Sequence, residues 1–489
     1  MKKLLVALWL CSTALYAQQT TPLANEEPTQ APLKIGEELP VQIQTTQPYN
    51  QAGQQGIVFE QEFYNKNSSY IKLYFEDFDL NPGDYIEIST ENTGESILYA
   101  EKGKIIDQQG TMISNFWSQI LMDEKVTVRL HAASGSNHHR GFKISRVAYG
   151  FSEAKINTLV SGKSICGADN KQRIACYGGQ IFNKSKAVCR LVINGSSLCT
   201  GWLLGSQGHI MTNNHCIGNA SDAANTDYQF NYQYTNCTGG GGSYTNYSGA
   251  SFVKTSGFYD YTLVRLANNP TSTFGYLQLS RSAARRGRRI YIPQHPGGRP
   301  KEVSVNTDIG GVNGKSAIDQ VTTNGLRYYA DTEGGSSGSP VIDYFNHRVL
   351  AIHNTGGCTN GSSGRSDRLI SSIGNSMPAN GIAPNSVAGG QTSQGVNTSV
   401  DADRQRAENL DLDGAPFLSI APNPVADVLN ITTNRSDLEH YRITNVQGQV
   451  IKEGQLTRNF IQLGELNKGV YFITFYNEQE QVVRKLMKQ

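Results

Sequence analysis

The chain has 489 residues, a formal net charge of +2, 17% charged residues and 50 glycines. That length accommodates two or three domains, and the near-neutral balance excludes a strong field for nucleic acid or an anionic membrane. A low-charge composition rich in Gly, Thr, Asn and Tyr points to an all-β extracellular protein rather than a helical cytosolic one.

In chain order, Met1-Lys2-Lys3 supplies positive charge and Leu4 to Leu15 an apolar run. Residues 1–17 therefore read as a removable secretion signal cut at Ala17-Gln18. Cys11 invites a lipid anchor, but Trp9 and Leu10 are too bulky for an attachment box. No later run reaches transmembrane length, so no further span is expected. Residues 18–55 are polar and rich in Gln, Pro and Thr, which predicts disorder. From 56 to 158 short alternating runs such as Ile71-Lys72-Leu73-Tyr74-Phe75 and Val126-Thr127-Val128-Arg129-Leu130 predict a β-sandwich. His138-His139 lacks neighbours that would complete a metal site.

The next unit, 159–376, is again β-rich and holds Cys166, Cys176, Cys189, Cys199, Cys216, Cys237 and Cys358. In a secreted chain these predict disulfides, and no Cys-x-x-Cys pair suggests zinc. Being odd in number, they leave at least one thiol over. This unit also carries Thr212-Asn213-Asn214-His215-Cys216, Asp260-Tyr261-Thr262-Leu263-Val264 and Gly335-Ser336-Ser337-Gly338-Ser339-Pro340. A serine hydroxyl needs a base with a pKa near the working pH, and that imidazole needs a buried carboxylate to orient it. His215, Asp260 and Ser337 are the candidate catalytic residues, in the order His, Asp, Ser. Asp222 and Asp227 are rival carboxylates, but only Asp260 leads into an alternating strand. Glycines at 335 and 338 permit a sharp turn, so the N–H groups of Gly335 and Ser337 are the candidate oxyanion hole. Arg285-Arg286-Gly287-Arg288-Arg289 reads as a solvated loop or processing point. Gly239 to Gly242 lacks the residues of a phosphate cradle.

Together with Cys199-Thr200-Gly201-Trp202 and Gln294-His295-Pro296-Gly297-Gly298, these motifs resemble bacterial trypsin-like peptidases, most of all the lysyl endopeptidase group. The resemblance spans Ser161 to Ile373. It implies a chymotrypsin-like double β-barrel with the site between barrels, and the pairings Cys199–Cys216, Cys166–Cys358 and Cys176–Cys237, with Cys189 left over. One departure stands out. Ser336 takes the place of the aspartate that trypsins use to receive a new N-terminus, which speaks against that activation switch. For specificity, Asp331 matches the trypsin position, and Asp367 resembles the specificity aspartate of lysyl endopeptidases. His353, in Ala351-Ile352-His353-Asn354-Thr355, resembles the histidine with which glutamyl endopeptidases meet a substrate carboxylate.

Residues 377–414 read as a linker and 415–489 as a third β-domain. Ala421-Pro422-Asn423-Pro424-Val425, Asn445-Val446-Gln447-Gly448-Gln449 and Leu466-Asn467-Lys468-Gly469-Val470-Tyr471 resemble the sorting domain of type IX secretion. That implies export across an outer membrane. The 56–158 sandwich resembles domains ahead of some trypsin-like peptidases and is expected to be a prodomain released near Asn157 to Lys163. The whole then reads as a secreted, monomeric serine endopeptidase acting through an acyl-enzyme on Ser337. It is expected to cut after Lys or Arg in protein substrates and to need no cofactor or metal. The alternatives are a glutamyl-type specificity, or an adhesin with a degenerate peptidase domain.

Overall fold

Period-two alternation produces most elements of the chain. In the computed structural model the described residues are 31–50, 54–133, 141–160, 165, 167–357, 359–384, 418–421, 423–433, 440–445, 449–456, 460–476 and 481–489. The signal segment, His138-His139, Cys166, Cys358 and most of the expected linker lie outside them.

The first unit stacks two four-stranded antiparallel sheets. One runs Gly56–Tyr64, Lys125–Ala132, Tyr85–Thr90, Ser96–Ala100; the other Gly36–Gln44, Lys143–Gly150, Ile71–Glu76, Phe116–Trp117. Every second residue of Lys125–Ala132 is buried, so one face meets the core and the other water. Phe75, Phe78, Phe116 and Phe142 pack there, the Phe75 and Phe116 rings 5.3 Å apart. The expected disorder of 18–55 fails beyond residue 32. Leu33–Lys34 (β1) and Gly36–Gln44 are strands, and Gly36–Gln44 pairs along Lys143–Gly150. Composition hid an alternation there: Val41 and Ile43 pack on the sandwich core, and Ile35 is fully buried.

The peptidase unit has two sheet systems. The first sheet orders Thr245–Ser248, Thr226–Phe230, Val188–Ile193, Ser197–Leu204, His209–Thr212, Tyr261–Leu266 and Ala250–Ser256, all antiparallel. The second joins Glu302–Ser304, Ile290–Gln294, Pro340–Asp343, Val349–Ile352 and Gly364–Arg365, flanked by Ala317–Val321, Leu326–Tyr329 and Asn360–Ser362. Strands such as Val188–Ile193 and His209–Thr212 are buried throughout, because both their faces are covered. Cys176–Cys237 and Cys199–Cys216 are disulfides, and Cys189 is a free, buried thiol. The peptidase unit runs on past residue 376. Leu279 N–H donates to Gly381 O at 2.9 Å and Ala383 N–H to Leu279 O at 3.0 Å, so this part of the expected linker is pinned by its backbone despite its linker-like composition.

The sandwich and the first sheet share a core of their own. Ile35, Tyr70 and Ile120 meet Val192 and Leu198 across it, with Ile156 of the connecting helix Glu153–Val160. Beside it lies a buried ion pair, Lys72 Nζ to Asp227 Oδ2 at 2.9 Å, both side chains fully shielded. The C-terminal unit places Leu418–Ala421, Val428–Thr433 and Phe460–Gln462 in one sheet, and Val450–Gln455, His440–Asn445, Gly469–Tyr476 and Gln481–Lys488 in another. No helix among the described residues is long and apolar enough to cross a membrane.

Candidate active site

Two strand ends bring His215 and Asp260 together. His215 follows His209–Thr212, and Asp260 immediately precedes Tyr261–Leu266, its pairing partner. His215 Nδ1 bonds Asp260 Oδ2 at 2.8 Å, and the His215 N–H donates to Oδ1 at 3.0 Å. Asp260 is held in the left-handed region, at φ 47. Asn213 Nδ2 fixes its carbonyl at 2.7 Å. From the second barrel, Asn354 Nδ2 donates to Oδ2 at 3.1 Å. His215 Nε2 is buried and has no hydrogen-bond partner among the described residues. An imidazole so held, protonated at Nδ1 towards a carboxylate, can accept a proton at Nε2. The two sulfurs beside it are spent in the Cys199–Cys216 bridge, so the cluster offers a metal ion one imidazole and no thiolate.

Thr200 ties the serine loop to this region. Its N–H donates to Ser337 O and its Oγ1 to Gly335 O, each at 2.8 Å, while Thr212 Oγ1 donates to Thr200 O at 2.8 Å. Two glycines are required for this contact. At Gly338, φ +90, a Cβ would lie 2.1 Å from Thr200 O; at Gly335, φ +94, it would lie 2.4 Å from Leu198 Cδ2. With the Gly335 carbonyl turned to Thr200, the N–H groups of Gly335 and Ser337 donate to no group among the described residues. Ser336 is locked without any ammonium. Its Oγ donates to Gln294 Oε1 at 2.5 Å and accepts from the Glu333 N–H at 3.1 Å.

The three residues expected to set specificity fare differently. Asp331 is buried, its Oδ2 accepting the Asn170 N–H at 2.7 Å; burial pushes its carboxyl up. Asp367 lies in the first turn of Ser366–Ile373 and is gripped by both ends of the Arg365 guanidinium, at 2.6 and 2.9 Å. That pairing holds its carboxyl below the usual range. His353 is 3% exposed. Tyr328 Oη donates to Gly361 O at 3.0 Å and lies 2.7 Å from His353 Nδ1, so it accepts the Nδ1 proton. Burial pushes this imidazole down to about 3, and the charge of nearby His215 adds to the shift.

The rival carboxylates have structural work. Asp222 accepts from Asn219, Asn194 and Gly218 at a helix start, and Asp227 pairs with Lys72. The arginine run is likewise engaged, Arg288 with Asp343 at 2.6 Å and Arg289 over the Tyr344 ring. Thr200, Gln294 and Asn354 lie inside motifs read from the sequence, but their own roles depend on partners far along the chain; Tyr328 lies in none of those motifs.

A model of the trypsin-like peptidase domain matches residues 199–352, and one of the secretion system C-terminal sorting domain matches residues 419–489. Secreted RxLR effector protein 73 of Plasmopara viticola is 33% identical over 344 residues, which are 65% of this chain and 82% of that protein. A glutamyl endopeptidase of Bacillus licheniformis is 26% identical over 233 residues, 43% of this chain and 67% of the relative. A solved structure of a Glu endopeptidase in complex with MPD shares 22% identity at a TM-score of 0.33, covering 43% of this chain and 97% of that one.

Proposed function

The chain belongs to the trypsin-like serine peptidases, and from that membership we propose that it cleaves peptide bonds after acidic residues, glutamate above all. Ser337 Oγ attacks the scissile carbonyl while His215 Nε2 takes its proton, with Asp260 holding the imidazole by Nδ1. The N–H groups of Gly335 and Ser337 receive the oxyanion; one such donor contributes about 3–4 kcal/mol to the transition state. His215 then gives its proton to the leaving amine, and water releases the acyl group by the reverse sequence. The buried His215–Asp260 pair with an unpartnered Nε2 carries the catalytic part of this reading.

For the first subsite the supporting observation is which charges are already engaged. Asp367 is neutralised by Arg365, and Asp331 is buried against the Asn170 N–H, so neither leaves a bare carboxylate for a basic side chain. His353 is buried near His215, and its Nδ1 is committed to Tyr328. That leaves Nε2 to share a proton with an incoming carboxylate. Because His353 starts neutral, binding takes up one proton and weakens as pH rises. The name of the Bacillus licheniformis relative accords with this. The sorting domain supports export by the type IX route, with removal of 415–489 afterwards.

Peptide-library profiling tests the proposal. Cuts after Glu are expected, lost in Ser337→Ala along with fluorophosphonate labelling and shifted away from Glu in His353→Leu. Cuts after Lys or Arg, abolished in Asp331→Ala, would return the specificity to a basic side chain. Labelling that survives Ser337→Ala would remove the catalytic assignment itself.

A further inference from the structure

We propose that β1 is a built-in occupant of the edge where the leaving-group side of a peptide substrate lies, so that the chain carrying this arm shields its own cleft. This rests on the serine endopeptidase reading above. The strand Ser197–Leu204 is paired along one edge by Val188–Ile193 over nearly its whole length. On the other edge His209–Thr212 reaches only from Leu204 to Trp202. Below Trp202 that second edge is taken in sequence by two things. The Thr200 N–H donates to the Ser337 carbonyl at 2.8 Å. Then Leu198 and Ser197 pair antiparallel with Leu33 and Lys34 of β1, and the Ile35 N–H donates to Ser196 O at 2.8 Å. Leu198 and Thr200 have the same parity and present their polar groups to the same edge. Two residues along a strand span about 7 Å. β1 therefore begins about two substrate residues from the nucleophile loop.

The side chains close the argument. Leu33 and Val160 both approach Gly334, to 3.3 and 3.6 Å of where its Cβ would be, and Leu198 covers Gly335. A scissile carbonyl resting on the N–H groups of Gly335 and Ser337, with its acyl side chain towards His353, sends the leaving-group segment away from His353. That path follows the open edge below Thr200. Extended peptides bind such edges by adding a strand, and here a strand is already present. The removable part is then the arm ahead of Ile35. The sandwich is held by the buried Lys72–Asp227 pair and the shared apolar core, and separating it would strand a charge on each side. This departs from release of a whole prodomain near Asn157 to Lys163.

The test compares the chain from Gln18 with one beginning at Ile35, on two substrates that share the first-subsite residue fixed by the library. One has a small chromogenic amide as leaving group; the other has three residues beyond the scissile bond. An occupant tethered in cis acts at a millimolar effective concentration, so its removal is expected to raise kcat/KM on the extended peptide about tenfold or more. The chromogenic amide, which does not reach the edge, is expected to change less than about twofold. Leu33→Asp in the longer chain keeps Ile35 in the core and is expected to shift activity in the same direction, which guards against misfolding of the shortened form. Equal or lower activity of both variants on the extended peptide overturns the proposal. Inactivity of every form on the chromogenic amide, without fluorophosphonate labelling, would instead overturn the catalytic reading, and this inference with it.

Discussion

Asn354 joins the second barrel to a carboxylate of the first. Its Nδ2 donates to Asp260 Oδ2, the oxygen that also bonds His215 Nδ1, while its Oδ1 accepts from Thr355 Oγ1 and the Ser363 N–H. The residue is 1% exposed, so water cannot replace the bond. A hydrogen bond to a charged acceptor contributes about 1.5–3 kcal/mol. Without it the Asp260 carboxylate loses a donor that fixes the oxygen orienting His215. Asn354→Ala is therefore expected to lower kcat about ten- to a hundredfold with KM little changed. A side chain that merely filled space would reduce the amount of active enzyme and leave turnover per active site unchanged, so kcat on a chromogenic amide, counted per fluorophosphonate-titrated site, separates the two.

Among elements, the contact between sandwich and first barrel is the one that local sequence did not disclose. Alternation along Lys125–Ala132 announces a strand and its buried face. The residue types around His215, Asp260 and Ser337 announce their chemistry because each motif is contiguous. Lys72, by contrast, sits in an alternating run as one more outward lysine, and its meaning depends on Asp227, far along the chain. The same holds for Thr200, whose three bonds to the serine loop and the His209–Thr212 strand form only after both sheets do. Lys72 Nζ also donates to Asn194 O at 2.6 Å, and Asp227 accepts from the Ile120 N–H and Asn246 Nδ2. Each member of the pair thus has further hydrogen-bond partners inside the interface. Removing one member of such a pair costs about 3–5 kcal/mol, because the other charge is left buried alone. Asp227→Asn is expected to lower unfolding free energy by that amount in urea titrations, and to open the interface to limited proteolysis. A loss under about 1 kcal/mol would mean the pair is no better than an exposed one.

Over the whole molecule, buried histidines set how the fold responds to acid. Burial pushes His209 down to about 4 and His353 down to about 3, and holds His295 well below its ordinary value. Each is neutral when folded, whereas the unfolded chain protonates its histidines near pH 6.5. Between pH 6.5 and about 4 the unfolded state binds more protons, so stability rises with pH there and is lost as pH falls. Each histidine contributes up to about 1.4 kcal/mol per pH unit across that window. Three acting together make up to about 4 kcal/mol per unit, a large share of a domain's total. Urea unfolding of the Ser337→Ala protein, which cannot digest itself, is expected to show a steep loss between pH 6.5 and 4.5. His209 lies in a first-barrel strand away from the serine loop, and its Nδ1 has no partner among the described residues. His209→Leu should reduce the slope by about one histidine's share without changing first-subsite preference. A flat profile down to pH 4.5 would show that these imidazoles do not titrate with unfolding. The stabilising term is the exclusion of water from the barrel cores, so the same packing that holds His353 neutral for an acidic side chain makes the fold sensitive to acid.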